Sequence, residues 1–185
     1  MQILKHRVLH VEDIDPKFGI EVDVRDYNNK IVVSHDIPTS DSIQFSEFLK
    51  SVNPNQLVAI NIKSSGIEYE LHKILQDHKK IDYFTFDWSI PALMNALKSN
   101  LICAFRQSEF EKDIFQDCSW VFIDTFQKIW YNNNFLRSMK NNGYKIALVS
   151  PELHNRKDEL EKFREIVNFD FVDAICTDFP DMWYK

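Results

Sequence analysis

Glycine is scarce in this chain. Only Gly19, Gly66 and Gly143 occur in 185 residues, too few and too scattered for the glycine-rich cradle that binds nucleotide phosphates. The three cysteines, Cys103, Cys118 and Cys176, lack the close spacing of a metal finger or redox pair, and an odd number does not describe a disulfide framework. They read as small buried hydrophobes with inert thiols. Basic charge is not in excess either. With 22 Lys and Arg against 28 Asp and Glu the formal charge is −6, which argues against a protein that grips a nucleic-acid backbone through a basic surface. No apolar run approaches the roughly 20 residues that span a bilayer, and the N-terminus has no charged segment leading into an apolar signal stretch. The expectation is a soluble, cytoplasmic protein. No linker, low-complexity tract or repeat divides the chain, so residues 1–185 are expected to form one domain.

What is present is a regular alternation. Apolar residues make up 44% of the chain and aromatics 14%, enough to fill a sizeable core. Short β-branched or aromatic runs recur at 2–8, 19–27, 31–35, 57–63, 83–88, 101–106, 120–126, 145–149 and 174–177. Asn28-Asn29 marks a tight turn, so run 31–35 folds back on run 19–27 as a hairpin; the other runs are left to form a barrel. Helical spacing appears at 67–79, 90–99, 110–117, 134–142 and 158–167. Ser89 before Ile90-Pro91 reads as a helix start and Asn142-Gly143 as a helix stop. Strands alternating with helices predict parallel strands joined by helical crossovers, here a small, distorted (β/α)8 TIM barrel with trimmed helices, because such barrels usually need roughly 250 residues.

Polar residues gather at the C-terminal ends of the runs, where a barrel builds its active site. Glu21 and Asp23 alternate with Ile20, Val22 and Val24, so both carboxylates share one side of a strand. That pair suits a hard divalent cation such as Mg²⁺ or Ca²⁺, or else forms a solvated acidic face. Asn61 and Lys63 repeat the spacing between Ile60 and Ile62, setting an amide oxygen beside an ammonium. His6 and His35 close two runs and are candidates for an acid and a base. Arg106 offers a planar fork for a phosphate, or forms an ion pair with Asp124 or Glu152. His10, His72, His78 and His154 read as solvated. The aromatic C-terminal segments Phe169-Asp-Phe171 and Met182-Trp-Tyr184 read as packing residues.

Taken in order, His6-Arg7, Gly19-Ile-Glu-Val-Asp-Val, Ile31-Val-Val-Ser-His-Asp, Ile60-Asn-Ile-Lys63 and Thr177-Asp178-Phe-Pro180 resemble the signature of the glycerophosphodiester phosphodiesterase family. The match extends to the wider phospholipase-C-like superfamily and runs across nearly the whole chain. The resemblance implies a metal-dependent phosphodiesterase in which His6 and His35 are the catalytic pair, Glu21 and Asp23 bind the metal with Asn61, and Lys63 contacts the phosphate; Arg7 beside His6 is a further candidate for the phosphate, and Arg106, which has no counterpart in the family pattern, is one through its own fork chemistry. It implies a small-molecule or glycan phosphodiester as substrate, of glycerophosphodiester-like, glycosyl or alkyl type, and allows attack by a substrate hydroxyl through a cyclic phosphate. A place in bacterial surface-polysaccharide or lipid metabolism fits compact relatives of this kind. Nothing in the pattern specifies an oligomeric state.

The chain departs from the family pattern at three points. Asn61 stands where the pattern has a carboxylate, which lowers the ligand charge and hence the expected cation affinity. Only residues 36–60 lie between His35 and Asn61, so the family's inserted subdomain is missing and the pocket should be more open. Val8 replaces the glycine after His6-Arg7. Two other readings follow: a barrel without turnover that binds a phosphorylated saccharide or lipid headgroup, and a metal-independent lyase in which Lys63 and Arg106 take the place of the cation.

Overall fold

The structure, a computed structural model, describes residues 1–183; Tyr184, expected to belong to the C-terminal aromatic group, lies outside the described residues. Nine strands form one sheet: β1 (Gln2–Lys5), β2 (Gly19–Tyr27), β3 (Lys30–Val33), β4 (Leu57–Ile62), β5 (Asp82–Phe86), β6 (Ala104–Gln107), β7 (Trp120–Ile123), β8 (Lys145–Val149) and β9 (Ala174–Thr177). The order is β5-β4-β2-β1-β9-β8-β7-β6, every neighbouring pair is parallel, and β3 lies off this path, pairing antiparallel with β2 and through one bridge, Val32 to Gln44, with the chain that follows it. The two ends meet at a single parallel bridge, Thr85 to Cys103, where the Thr85 N–H donates to the Ile102 carbonyl at 2.8 Å. Eight parallel strands thus close a small barrel whose β5–β6 seam is its thinnest joint. Asn28 and Asn29, at φ 49° and 60°, make the tight hairpin turn into β3, a conformation Asn tolerates better than most residues.

A barrel this small needs its interior volumes matched. Phe84 and Phe86 on β5 stack on Trp120 and Phe122 of β7 with centroids 4.4 and 4.1 Å apart. Ala59, Ala104, Ala147 and Ala174 on the other strands make room for those rings. Large rings on two strands against alanines on four is how this barrel fills without voids. At its lower end, β2 starts on Gly19. A Cβ there would stand 2.7 Å from the Leu57 carbonyl oxygen and 2.7 Å from Leu4 Cδ2. The backbone oxygen cannot retreat without disturbing the β2–β4 pairing, so Gly19→Ala is expected to destabilise by about 1–3 kcal/mol, read as a lower urea midpoint with the slope unchanged.

Among the described residues, five α-helices cover the outside: α1 (Phe45–Leu49), α2 (Glu68–Asp77), α3 (Ile90–Lys98), α4 (Asn133–Asn141) and α5 (Leu160–Ile166). The outward faces of the strands, such as Ile20, Val22 and Val24, are fully buried beneath them. The crossover between β1 and β2 is trimmed to a 3-10 turn, Val11–Asp13. Two expectations fail. No helix forms at 110–117, where Ser108 Oγ accepts from the backbone N–H of Phe110 and Glu111, and the side chains of Gln107 and Lys112 donate to the carbonyls of Asp113 and Ser108. Side-chain bonds of this kind compete with a helical ladder, and the segment is too short for a helix that must stand on its own propensity. In the other direction α1 forms unpredicted, since Phe45, Phe48 and Leu49 bury their spaced faces against β3. The C-terminal aromatics pack as expected: Trp183 meets Phe163 and Phe169 at 6.0 and 5.3 Å.

Candidate active site

The site lies at the C-terminal ends of the strands, where register decides which side chains meet. On β2 the alternation turns Ile20, Val22 and Val24 to the helices, and Glu21 and Asp23 inward, each 1% exposed. The acidic pair is therefore not a solvated face. Parallel pairing sets Asp23 beside Asn61 on β4, and Lys63 just beyond brings its Nζ to 3.3 Å from Asp23 Oδ1. At the end of β1, Arg7 adopts φ 51°, which ends the strand at Lys5 and turns the Arg7 N–H toward Glu21 Oε2 at 2.7 Å. His6, Arg7, Glu21, Asn61, Lys63 and Arg106 line one cavity of about 350 Å³. Asp23 borders it through its contacts with Lys63 and with Arg7 Nε, 4.0 Å away.

The electrostatics of this wall are unusual. Burial, joined by the neighbouring Asp23 charge, pushes Glu21 up to about 8, although the Arg7 N–H and Asn61 work the other way. Asp23 Oδ2 and Asn61 Oδ1 are buried without a hydrogen-bond partner. A buried polar oxygen left unpaired costs free energy, and here two of them accompany a carboxylate that is hard to ionise. Burial lowers the His6 pKa, with the Asp178 carboxylate opposing the shift. The imidazole is then neutral at pH 7; its Nδ1–H donates to Asp178 Oδ1 at 2.8 Å, leaving the Nε2 lone pair 4.0 Å from Glu21 Oε2. Asp178 is held in turn by Glu152, a buried carboxylate that accepts from the Asp178 N–H at 3.2 Å and from the hydroxyls of Ser150 and Thr177.

His35 sits apart from this group. It follows β3 on the rim, is not among the residues lining the cavity, and places Nδ1 2.9 Å from Asp36 Oδ1, which leaves Nε2 as its free edge. Its backbone is fixed all the same. Arg25, the next inward position on β2 after Asp23, donates from Nε and Nη2 to the His35 carbonyl at 3.1 and 2.9 Å. The alternation of β2 carried that signal, since Glu21, Asp23 and Arg25 fall on one side.

The opposite wall is built on Arg106. Its guanidinium reaches Asp87 and Asp124, with Nε 2.9 Å from Asp87 Oδ1, and lies 5.6 and 5.5 Å from the Phe122 and Phe126 ring centroids. Burial works against its charge, and the carboxylates of Asp87, Asp124 and Glu111 outweigh it, raising the pKa above the ordinary arginine value. Much of its donor capacity is thus engaged within the protein. His154, expected to be solvated, instead lines the cavity and donates Nε2–H to Asp124 Oδ1 at 2.6 Å. Its position soon after β8, at a strand end, was the available clue.

Among the described residues no group of three or more His, Cys, Asp or Glu side chains is arranged to hold a metal. Glu21 and Asp23 share the inward side of β2 and Asn61 is paired beside Asp23 on β4, so their oxygens are the ones that would supply hard ligands. The two orphaned oxygens and the raised Glu21 are what a missing positive charge between them would leave, so the set fits a hard divalent cation, with one negative ligand fewer than three carboxylates would give.

Three crystal structures share this fold along nearly the whole chain. The glycerophosphodiester phosphodiesterase of Thermotoga maritima superposes with a TM-score of 0.66 at 17% identity, covering 98% of this chain and 96% of that one. The enzyme of that name from Agrobacterium tumefaciens str. C58 gives 0.59 at 13%, covering 98% of each. A glycerophosphoryl diester phosphodiesterase from Parabacteroides distasonis gives 0.51 at 11%, covering 97% of this chain and 83% of that one. No family model matches the sequence, and no curated protein does. The likeness is one of fold: a small TIM-like barrel of the kind found in those phosphodiesterases.

Proposed function

We propose that this barrel is a cation-dependent phosphodiesterase that cleaves a glycerophosphodiester-like, glycosyl or alkyl phosphodiester by histidine acid–base catalysis. The observation that carries the reading is the buried oxygen set of Glu21, Asp23 and Asn61, two of whose atoms lack partners, lying beside a neutral imidazole oriented by a carboxylate. The structures of like fold, all described as phosphodiesterases of glycerophosphodiesters, support the reaction class.

Glu21, Asp23 and Asn61 are the residues that would hold Mg²⁺ or Ca²⁺, which supplies neutralisation of charge on the phosphoryl oxygens when bound. Lys63 and Arg7 sit within reach of the same region and take the phosphate; displacing the Lys63 ammonium from Asp23 frees that carboxylate for the cation. His6 uses Nε2 to accept a proton from the attacking hydroxyl, while Asp178 stabilises the imidazolium that results. His35, its backbone clamped by Arg25, gives its proton to the departing alkoxide once its ring turns inward from the rim. Phe86 and Phe122 form an apolar floor that keeps the site's dielectric low.

The test is release of a phosphomonoester or cyclic phosphate from a panel of phosphodiesters with Mg²⁺, Ca²⁺, Mn²⁺ or chelator, with His35→Ala as control. Cation-dependent cleavage that falls at least about 100-fold in the control supports the pair; cleavage indifferent to both His6→Ala and His35→Ala refutes it. A recognition barrel without turnover is the second reading, favoured by Asn61 and by the Lys63 ammonium already placed on Asp23; cation-dependent ligand binding with no cleavage would mark it.

The acidic wall also predicts a pH dependence. Glu21 has its pKa raised in the folded protein, so the native state binds a proton more tightly than the unfolded chain. Stability from that proton is present at low pH and is lost as pH rises from the unfolded value of 4.5 toward about 8. His6, with a lowered pKa, acts in the opposite sense and only below its ordinary 6.5. In chelator, the melting temperature is expected to drop by about 3–7 °C between pH 6.5 and 8. Glu21→Gln should flatten that slope, and Mg²⁺ or Ca²⁺ should stabilise the wild type more at pH 8 than at pH 6.5.

A further inference from the structure

The missing helix after β6 leaves a second cavity beside the first. It measures about 770 Å³, lies over the thin β5–β6 seam, and shares Asp87, Arg106 and Phe126 with the 350 Å³ site. The two cavities adjoin at these three shared residues, and the inner one is lined by Glu21 and Asn61 of the acidic wall. Three large apolar side chains are displayed along the groove and its entrance: Phe110 is 65% exposed, Ile90 58% and Phe126 38%. Phe110 and Phe126 lie 6.2 Å apart, tilted by 42°, and Phe126 meets the His154 ring at 4.9 Å. An aromatic strip therefore runs from the inner site outward, and clustered exposed rings of this kind mark a binding surface more often than a bare one.

The polar groups of the groove narrow the ligand. Its cations are engaged: Arg106 by Asp87 and Asp124, and Lys112 by the Ser108 carbonyl and the Trp130 ring, 3.6 Å from the centroid. Its carboxylates are not exhausted. Glu111 meets the Ser108 hydroxyl at 2.9 Å through one oxygen, and no described partner engages the Asp113 carboxylate. A ligand in the groove has both aromatic rings and acceptor oxygens among the residues that line it. An acyl chain would leave the carboxylates facing hydrocarbon, and a second phosphate would be repelled by them. A quaternary ammonium calls for rings enclosing it, whereas Phe110 and Phe126 lie side by side. A sugar ring fits both surfaces, with C–H faces on the rings and hydroxyls donating to Glu111 and Asp113.

We propose that this groove is a glycosyl subsite, so that the substrate is a phosphodiester with a sugar on one arm and its phosphate seated at Lys63. The proposal rests on the phosphodiesterase reading for its substrate, and on the groove alone for its ligand.

The test compares four p-nitrophenyl phosphodiesters whose other arm is methyl, decyl, choline or α-glucosyl, in wild type, Phe110→Ala, and Ile114→Ala as a control on the same loop but outside the groove. Wild type should favour the glucosyl over the methyl diester in kcat/KM by about tenfold or more, and Phe110→Ala should collapse that ratio while Ile114→Ala keeps it. A parallel titration compares glucose 1-phosphate with inorganic phosphate by calorimetry in the presence of Mg²⁺; tighter binding of the sugar phosphate, lost in Phe110→Ala, is expected whether or not any diester turns over. If Phe110→Ala leaves both the ratio and the binding difference unchanged, or if the decyl or choline diester is the one preferred, the glycosyl subsite is wrong, while cleavage abolished by His6→Ala would still uphold the phosphodiesterase. If no diester is cleaved but the binding difference is present and Phe110-dependent, the groove stands and the reaction class falls.

Discussion

Replacing His6 by alanine should lower kcat/KM for phosphodiester cleavage by about 10²–10⁴-fold, with little change in KM. The expectation follows from the state of the ring more than from its position. Burial lowers its pKa, so the imidazole is neutral at physiological pH, and Asp178, 2.8 Å from Nδ1, fixes the tautomer that presents a lone pair on Nε2. A neutral base with its lone pair oriented into the site is what proton abstraction needs. Asp178→Asn should therefore give a smaller loss and should move the acid limb of the pH–rate profile, because the asparagine cannot stabilise the imidazolium. If His6 were only a packing residue, its loss would appear in the melting temperature and leave the pH profile of the remaining activity where it was.

The second large effect concerns stability. Arg106→Met is expected to destabilise the protein by about 3–5 kcal/mol, because it leaves Asp87 and Asp124 facing each other without the cation that now lies between them. Asp124 is 3% exposed and its Oδ1 takes the His154 Nε2–H, so losing the guanidinium leaves its buried Oδ2 without the cation that it meets now. For a chain of this length such a loss corresponds to roughly 10 °C in melting temperature. Removing the charges with the arginine, as in Arg106→Met with Asp87→Asn and Asp124→Asn, should recover part of it. If Arg106→Met keeps the melting temperature and loses only phosphate affinity, the side chain serves the substrate more than the wall, as the sequence pattern alone had allowed.

How far the sequence was legible depends on how local the signal is. β2 begins and ends where its alternation predicts, at Gly19 and Tyr27, because burial on both sides of the sheet makes every residue of that strand informative. The hairpin was legible at Asn28-Asn29, and the eight-stranded parallel barrel in the alternation of runs and helices. The segment 110–117 has helical apolar spacing, yet its backbone is tied by Gln107, Ser108 and Lys112, bonds that no periodicity reveals. Within the site, Glu21, Asp23, Asn61 and Lys63 could be grouped from spacing because they stand on two adjacent strands and, for Lys63, just past the end of one. His154 could not. Its neighbours Leu153 and Asn155 say nothing about Asp124, which reaches it across 30 positions of sequence, and only closure of the barrel makes them partners. Arg25 was missed for a different reason, since its task is to hold the backbone of His35 and not to meet a ligand.

Activity at this site requires the Glu21, Asp23 and Asn61 oxygens to bring a cation to a scissile phosphodiester. The direct measurement is ³¹P NMR of the purified protein with a phosphodiester panel that includes a glucosyl diester, in Mg²⁺ or Ca²⁺ and in chelator, for wild type and Asp23→Asn. The expected result is conversion of a diester to a monoester or cyclic phosphate in the presence of cation, lost in chelator and reduced by at least about 100-fold in Asp23→Asn. Conversion that persists unchanged in chelator and in Asp23→Asn would contradict it.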